Sequence, residues 1–220
     1  MKHTENELQA LKEDVSQMWK LVLSQLEKSK QAFLNRDMEI AREIISREKR
    51  VDAFDLKITC DSENYIALYS PVAVDLRLVL SLIKISSTLE RIGDFCEGIA
   101  RHVIDDDSQT IDGQVIEELQ IEKLFDTVTT MLTDSFVALE SENTRMSGKI
   151  LAKDAEVDAI YHRSPDVLAE YLQKKPEAIC CGLKIFLLIR KLERIGDHCS
   201  NIVEEIVFYV DAKVLKHLKK

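Results

Sequence analysis

Leu8, Leu11, Val15, Met18, Val22 and Leu26 recur at steps of three and four while Glu and Lys fill the positions between them. That period is the apolar stripe of an amphipathic helix, and it predicts a first helix over about residues 5–34. Asn35-Arg36-Asp37 supplies a short turn with Asp37 as the next cap, and a second stripe follows through Ile44, Val51, Phe54, Ile58 and Leu68. Helix two then ends near Tyr69. Ser70-Pro71 reads as a Ser cap with Pro at the first helical position, where its missing N–H costs nothing, and it opens a third helix to about residue 104. The stretch 105–113, Asp-Asp-Asp-Ser-Gln-Thr-Ile-Asp-Gly, begins with like charges that a helix C-terminus disfavours and ends in turn chemistry. A fourth helix carries Val115, Leu119, Leu124, Val128, Leu132 and Phe136, and the run from Ser141 to Thr144 closes it and caps the next. Helix five spans about 145–173, with Ser164-Pro165 expected to kink it or restart it after a break. Pro176 starts helix six, which reaches about residue 212, and the tail from Lys213 to Lys220 is expected to fray.

The hexamer Leu-Glu-Arg-Ile-Gly-Asp occurs twice, at Leu89 to Asp94 and at Leu192 to Asp197, and beyond it Cys96 matches Cys199 and Ile99 matches Ile202 at one constant offset. Duplication of this kind predicts two related halves. Each hexamer falls on the third helix of its half, and connections this short demand antiparallel neighbours. The expected fold is all-α: two tandem repeats of an antiparallel three-helix bundle with six long helices, the first over 1–106, a linker over 107–113, the second over 114–220.

Composition supports this class and narrows the function. A chain of 220 residues, 45% hydrophobic, with only six Gly and three Pro, favours long helices with a sizeable core. The net charge of −9 lacks the basic stripe that nucleic acid rewards and suits cations or basic protein surfaces instead. Cys60, Cys96, Cys180, Cys181 and Cys199 show no CxxC spacing and read as reduced core thiols. No signal region and no long apolar run occurs in the sequence, so a cytoplasmic location is expected.

Each hexamer sets a Glu and an Asp four residues apart, on one helical face, and the second helix of each half carries a pair at the same spacing. The four pairs are Glu48 with Asp52, Glu90 with Asp94, Asp154 with Asp158, and Glu193 with Asp197. Counting outward from the turns near residues 70 and 174, at a rise of about 1.5 Å per residue, brings the pairs of each half to within roughly 3 to 4.5 Å of one level. One such pair on a solvated helix costs only about 0.2 to 0.5 kcal/mol. Two facing pairs about 6 Å apart add roughly 3 kcal/mol per cross-helix contact before screening, at an effective dielectric near 20. Either a multivalent cation offsets this repulsion or the carboxylates line a solvated acidic face. Carboxylate ligands suit hard ions, namely Mg²⁺, Ca²⁺, Mn²⁺ or iron, better than structural zinc. Gly93 and Gly196, each costing about 1 kcal/mol relative to Ala, point to close approach by a neighbouring helix or an ion shell. Arg91 and Arg194 either brace the carboxylates or sit in solvent.

The repeated hexamer, with Asp75-Leu76-Arg77 upstream of the first copy and Asn201-Ile202 after the second, resembles the PhoU family over essentially the whole chain. The resemblance implies two three-helix repeats whose E(D)xxxD motifs bind metal clusters, here at the four pairs named above. It also implies an accessory regulator of a phosphate-specific ABC transporter and its two-component sensor kinase, which represses phosphate-starvation genes when phosphate is plentiful. Such a protein reaches the membrane through protein contacts, and self-association as a homodimer is expected. Two departures stand out: Glu97-Gly98-Ile99 follows the first hexamer and makes that site more acidic, and Ile179-Cys180-Cys181 replaces the Asp-Leu-Arg tract in the second half.

Two other function classes compete. A carboxylate-bridged dimetal enzyme normally uses Glu-x-x-His, and none of His3, His102, His162, His198 and His217 follows a Glu by three positions. His162 stands four after Asp158 and can share its face, whereas His198 is rotated by about 100° from Asp197. With no phosphate loop or nucleophile elbow either, no catalysis is expected. A metal-independent helical adaptor binding basic partner surfaces is the other alternative; it would bind in a salt-sensitive way and ignore chelators.

Overall fold

A computed structural model of the chain describes residues 2–105 and 113–215. The long helices run α1 Lys2–Asn35, α2 Met38–Tyr69, α3 Ala73–Ile104, α5 Ile121–Glu140, α6 Ser147–Lys174 and α7 Ile179–Asp211, with a short α4 at Gly113–Glu118. Helices α1 to α3 form one antiparallel bundle and α5 to α7 a second, as the duplicated hexamer requires. The expected linker lies, except for Gly113, outside the described residues, as does the tail beyond residue 215.

Local chemistry explains where the helices start and stop. The Asp37 carboxylate accepts the backbone N–H groups of Glu39 and Ile40, both at 3.0 Å, and so caps α2 as expected. Ser70 does not cap α3. It closes α2 in the left-handed region, φ 45°, and its N–H reaches the Ile66 carbonyl at 3.1 Å, so α3 begins only at Ala73. The expected fourth helix is split, because Gln120 takes φ 53° between α4 and α5. Pro165 neither breaks nor restarts α6, which runs on to Lys174. The Tyr161 carbonyl, which loses its usual partner at Pro165, accepts the Ser164 hydroxyl at 2.8 Å instead. Asn143 caps a single 3₁₀ turn, Thr144–Met146, that leads into α6.

The two bundles share one core along α3 and α7, which pack antiparallel with their hexamers at the same level. Arg77 Nε donates to the Tyr209 carbonyl at 3.3 Å, and Ser81 Oγ to the Glu205 carbonyl at 3.2 Å. Near the centre, Phe95 stacks on His198, its counterpart in the other half, with ring centroids 5.7 Å apart. The Arg194 guanidinium, on an exposed residue, lies 5.5 Å from the Phe95 ring centre across the junction between halves. His198 is buried there, and burial followed by the nearby Arg91 and Arg194 charges lowers its proton affinity. On the other side Trp19 of α1, fully buried, donates its indole N–H to the Leu132 carbonyl of α5 at 3.2 Å. Cys96, Cys181 and Cys199 are buried thiols, whereas Cys60 and Cys180 are exposed and correct the expectation of five core thiols. No helix among the described residues is long and apolar enough to cross a membrane.

Candidate metal centre

Helices α2 and α3 are antiparallel, and the register counted from the turn places Glu48 directly against Gly93. A Cβ built on Gly93 would stand 3.1 Å from Glu48 Oε1, 3.2 Å from Oε2 and 3.2 Å from Val51 Cγ1. The second half repeats the contact: a Cβ on Gly196 would lie 3.1 Å from Asp154 Oδ1 and 3.5 Å from Val157 Cγ1. The glycine of each hexamer is therefore the notch in α3 or α7 that admits a carboxylate from the preceding helix. This close approach is what offsets the helix-propensity cost of glycine.

The eight carboxylates are not equivalent. Glu48 is 6% exposed and Asp154 4%, while Asp52 and Asp94 are exposed and Glu90, Asp158, Glu193 and Asp197 are partly buried. Glu48 Oε2 accepts the Gln25 side-chain N–H at 3.2 Å, and Oε1 is buried with no hydrogen-bond partner. Burial, and then the charges of Asp94, Asp52 and Glu97, push the Glu48 carboxyl up to about 7 against the pull of the Gln25 bond. Glu90 is raised by burial and by Asp94, Asp55 and Asp52; Asp94 by burial, Asp52 and Glu97. The first half therefore brings Glu48, Asp52, Glu90 and Asp94 into one mutually repelling cluster. It adds two carboxylates at the next step of the same faces, Asp55 and Glu97. Asp55 went unmarked in the sequence, although it stands seven residues after Glu48 as Glu97 does after Glu90; it accepts the Ser86 hydroxyl at 2.7 Å.

In the second half Asp154 fills the Gly196 notch, Asp158 follows one turn along α6, and Glu193 and Asp197 flank the notch on α7. Pro165 lies beyond this level and leaves it intact. His162 is exposed and rests beside Tyr161, with ring centroids 5.4 Å apart.

The donor chemistry fits an oxygen-ligated cation. Glu48 offers a buried oxygen without a hydrogen-bond partner at the rim of a notch where a Cβ would force a neighbour to shift, beside carboxylates whose charges disfavour its ionised form. Positive charge at that point removes both penalties. As they stand, the side chains do not close a coordination sphere: among the described residues no three of His, Cys, Asp and Glu form a group that could hold an ion. An ion here would be held by Glu48, Asp52, Glu90 and Asp94, and would supply positive charge among them.

The PhoU domain matches this chain twice, over residues 15–103 and 121–206. Among curated proteins, the phosphate-specific transport system accessory protein PhoU homolog of Aquifex aeolicus is 31% identical over 211 residues, covering 96% of this chain and 94% of that protein. The PhoU accessory protein of Escherichia coli is 30% identical over 212 residues, covering 96% and 87%. Among crystal structures, the regulatory protein PhoU of Streptococcus pneumoniae superposes with a TM-score of 0.85 at 27% identity, covering 97% of this chain and 99% of that one. PhoU of Pseudomonas aeruginosa gives 0.89 at 26%, covering 95% and 99%. With both repeats matched, the hexamers aligned in one fold and the carboxylate notches in register, the chain belongs to the PhoU family.

Proposed function

We propose that this chain is an accessory regulator of a phosphate-specific ABC transporter, acting on the transporter and its sensor kinase to repress phosphate-uptake genes when phosphate is plentiful. The observation that supports this most is that the family's match extends over both repeats, with relatives named as accessory proteins of phosphate-specific transport. The carboxylate clusters are proposed to hold iron, manganese, magnesium or calcium: Glu48, Asp52, Glu90 and Asp94 in the first half, and Asp154, Asp158, Glu193 and Asp197 in the second. A bound ion supplies the positive charge that lets facing acidic helices pack. The chain's own part is to fix Glu48 and Asp154 in their glycine notches and to present the remaining carboxylates from the adjoining turns. In this reading the protein is a homodimer in the cytoplasm and reaches the membrane through protein contacts.

Deleting the gene from its host tests the regulatory part. Transcription of the phosphate-uptake genes, measured in phosphate-rich medium, is expected to rise to starvation levels. Unchanged repression would contradict it. The metal-independent adaptor is separated from this reading by partner binding with and without chelator: the adaptor responds to salt alone, whereas the metal-carrying regulator responds to the chelator.

A further inference from the structure

Along its first half, α7 is engaged on both flanks and bare on the ridge between them. On the side of α3, Lys184 Nζ reaches the Asp105 carbonyl at 3.4 Å, and the Lys191 side chain fills the notch of Gly98, where an added Cβ would stand 3.0 Å from Lys191 Cε. On the side of α6, Phe186 stacks on Tyr161 with ring centroids 5.8 Å apart. Between these flanks Ile179, Leu183 and Leu187 recur every four residues and stand 48%, 58% and 53% exposed. Arg190 and Arg194, also exposed, continue the same line. The steps from Leu183 onward are four, three and four, the spacing by which one helix presents a seam to another. From Ile179 to Arg194 the ridge runs roughly 22 Å at about 1.5 Å per residue.

The first half treats the equivalent line differently. Displaced by 103 residues, it reads Leu80, Lys84, Ser87 and Arg91 on α3, and Lys84, at the place of Leu187, pairs with Glu205 of α7 at 3.0 Å. Where the first half meets solvent with a paired lysine, the second exposes a leucine. Single exposed leucines are ordinary, but apolar side chains in line at helical spacing are the anchors of a helix-binding surface.

Charge selects the partner. The ridge carries no carboxylate, and Arg91 of α3 adds positive charge near Arg194, since both arginines lower the proton affinity of the buried His198. A second copy does not match it. Antiparallel self-pairing about the centre sets Leu187 against Arg190 and Leu183 against Arg194, and parallel pairing sets each arginine against itself. A lipid surface rewards a broad apolar face, and this one is a single residue wide. A helix with apolar residues at one end of its contact face and Asp or Glu at the other matches both parts of the ridge.

We propose that the outward ridge of α7, formed by Ile179, Leu183, Leu187, Arg190 and Arg194, is the docking surface for an acidic amphipathic helix of a partner protein; this rests on the reading that the chain acts through protein contacts, and it needs no bound metal. The apolar side chains supply the burial. The arginines fix the direction, because a reversed partner helix would set its acidic end against the leucines.

Two synthetic helical peptides of about 22 residues, titrated with the full chain and followed by fluorescence anisotropy, test this. One carries Leu over one end of its contact face and Glu over the other; its twin has Lys in place of each Glu. The acidic peptide is expected to bind about tenfold more tightly than the twin, and less tightly as salt rises. Leu183→Gln/Leu187→Gln, at exposed positions where substitution costs the fold little, is expected to weaken it by about tenfold. Arg190→Glu/Arg194→Glu should reverse the preference between the peptides, which lost packing alone would not do. Urea midpoints equal to wild type show that the variants are folded. Equal binding of the two peptides, or binding of neither, overturns the proposal and leaves the regulatory reading to the deletion test. So does self-association, or sedimentation with vesicles of phosphatidylglycerol and phosphatidylcholine, that Leu183→Gln/Leu187→Gln abolishes: the ridge then belongs to a second copy or to the membrane.

Discussion

Glu48→Gln is expected to stabilise the metal-free protein at pH 8 by about 3 kcal/mol while changing little at pH 4.5. The folded chain holds the Glu48 carboxyl up to about 7, chiefly by burial, and the unfolded chain returns it to its ordinary 4.5. Between those values the folded state binds the extra proton, so stability is fully present below about pH 4.5 and is lost as pH rises through 7. At about 1.4 kcal/mol per pH unit the loss reaches about 3 kcal/mol. Glutamine keeps the shape and the Gln25 contact but has no charge to desolvate. Glu90 and Asp94 are shifted in the same direction, so a shallower slope should survive in the variant. Urea unfolding with chelator present, followed from pH 4.5 to 8.5, checks this. Wild-type and variant profiles that run parallel would show that Glu48 is not a desolvated carboxyl.

Trp19→Ala should cost about 3 to 5 kcal/mol at any pH. Trp19 is fully buried, and it reaches from the first repeat into the second: its indole N–H bonds the Leu132 carbonyl at 3.2 Å, and its ring meets Phe136 with centroids 5.4 Å apart. Removing it creates a cavity at the junction between halves as well as deleting transfer energy, which places it in the upper part of the range for large-to-small changes. Trp19→Phe refills most of that volume and loses the hydrogen bond, so about 1 to 2 kcal/mol is expected. Denaturant midpoints with an unchanged slope would establish both values. Equal destabilisation by Ala and Phe would assign the effect to the hydrogen bond alone.

The register of the site was legible because helices are rulers. Counting about 20 residues back from the turn at 70 and about 22 forward predicted that Glu48 and the first hexamer would meet, and Gly93 does contact Glu48. What counting could not rank was exposure. The four acidic pairs look alike in sequence, yet Glu48 and Asp154 are core residues and Asp52 and Asp94 face solvent. Gln25 carried a signal: it falls in the apolar stripe of α1, between Val22 and Leu26, where a polar residue needs a partner. Asp55 was equally within reach, one step further along the face of Glu48 and Asp52.

Where helix boundaries depart from the hydrophobic pattern, local backbone chemistry overrides that pattern. Leu119, Ile121 and Leu124 continue an apolar stripe without interruption, so nothing in the period marks the left-handed Gln120 that separates α4 from α5. Ser70 before Pro71 has the composition of a helix start, but the same residue serves as the left-handed end of α2. At Pro165 the sequence removes a backbone donor, and the hydroxyl of the preceding Ser164 returns one to the Tyr161 carbonyl, so the helix survives.

Elemental analysis of the purified protein by inductively coupled plasma mass spectrometry tests most directly whether the carboxylate clusters hold metal. Wild type should carry metal. The content should fall separately in Glu90→Gln/Asp94→Asn and in Glu193→Gln/Asp197→Asn, because each double change removes two oxygen donors from one cluster only. A wild-type chain that remains metal-free after reconstitution with iron, manganese or magnesium would contradict the account and leave the acidic faces as surfaces for a basic partner.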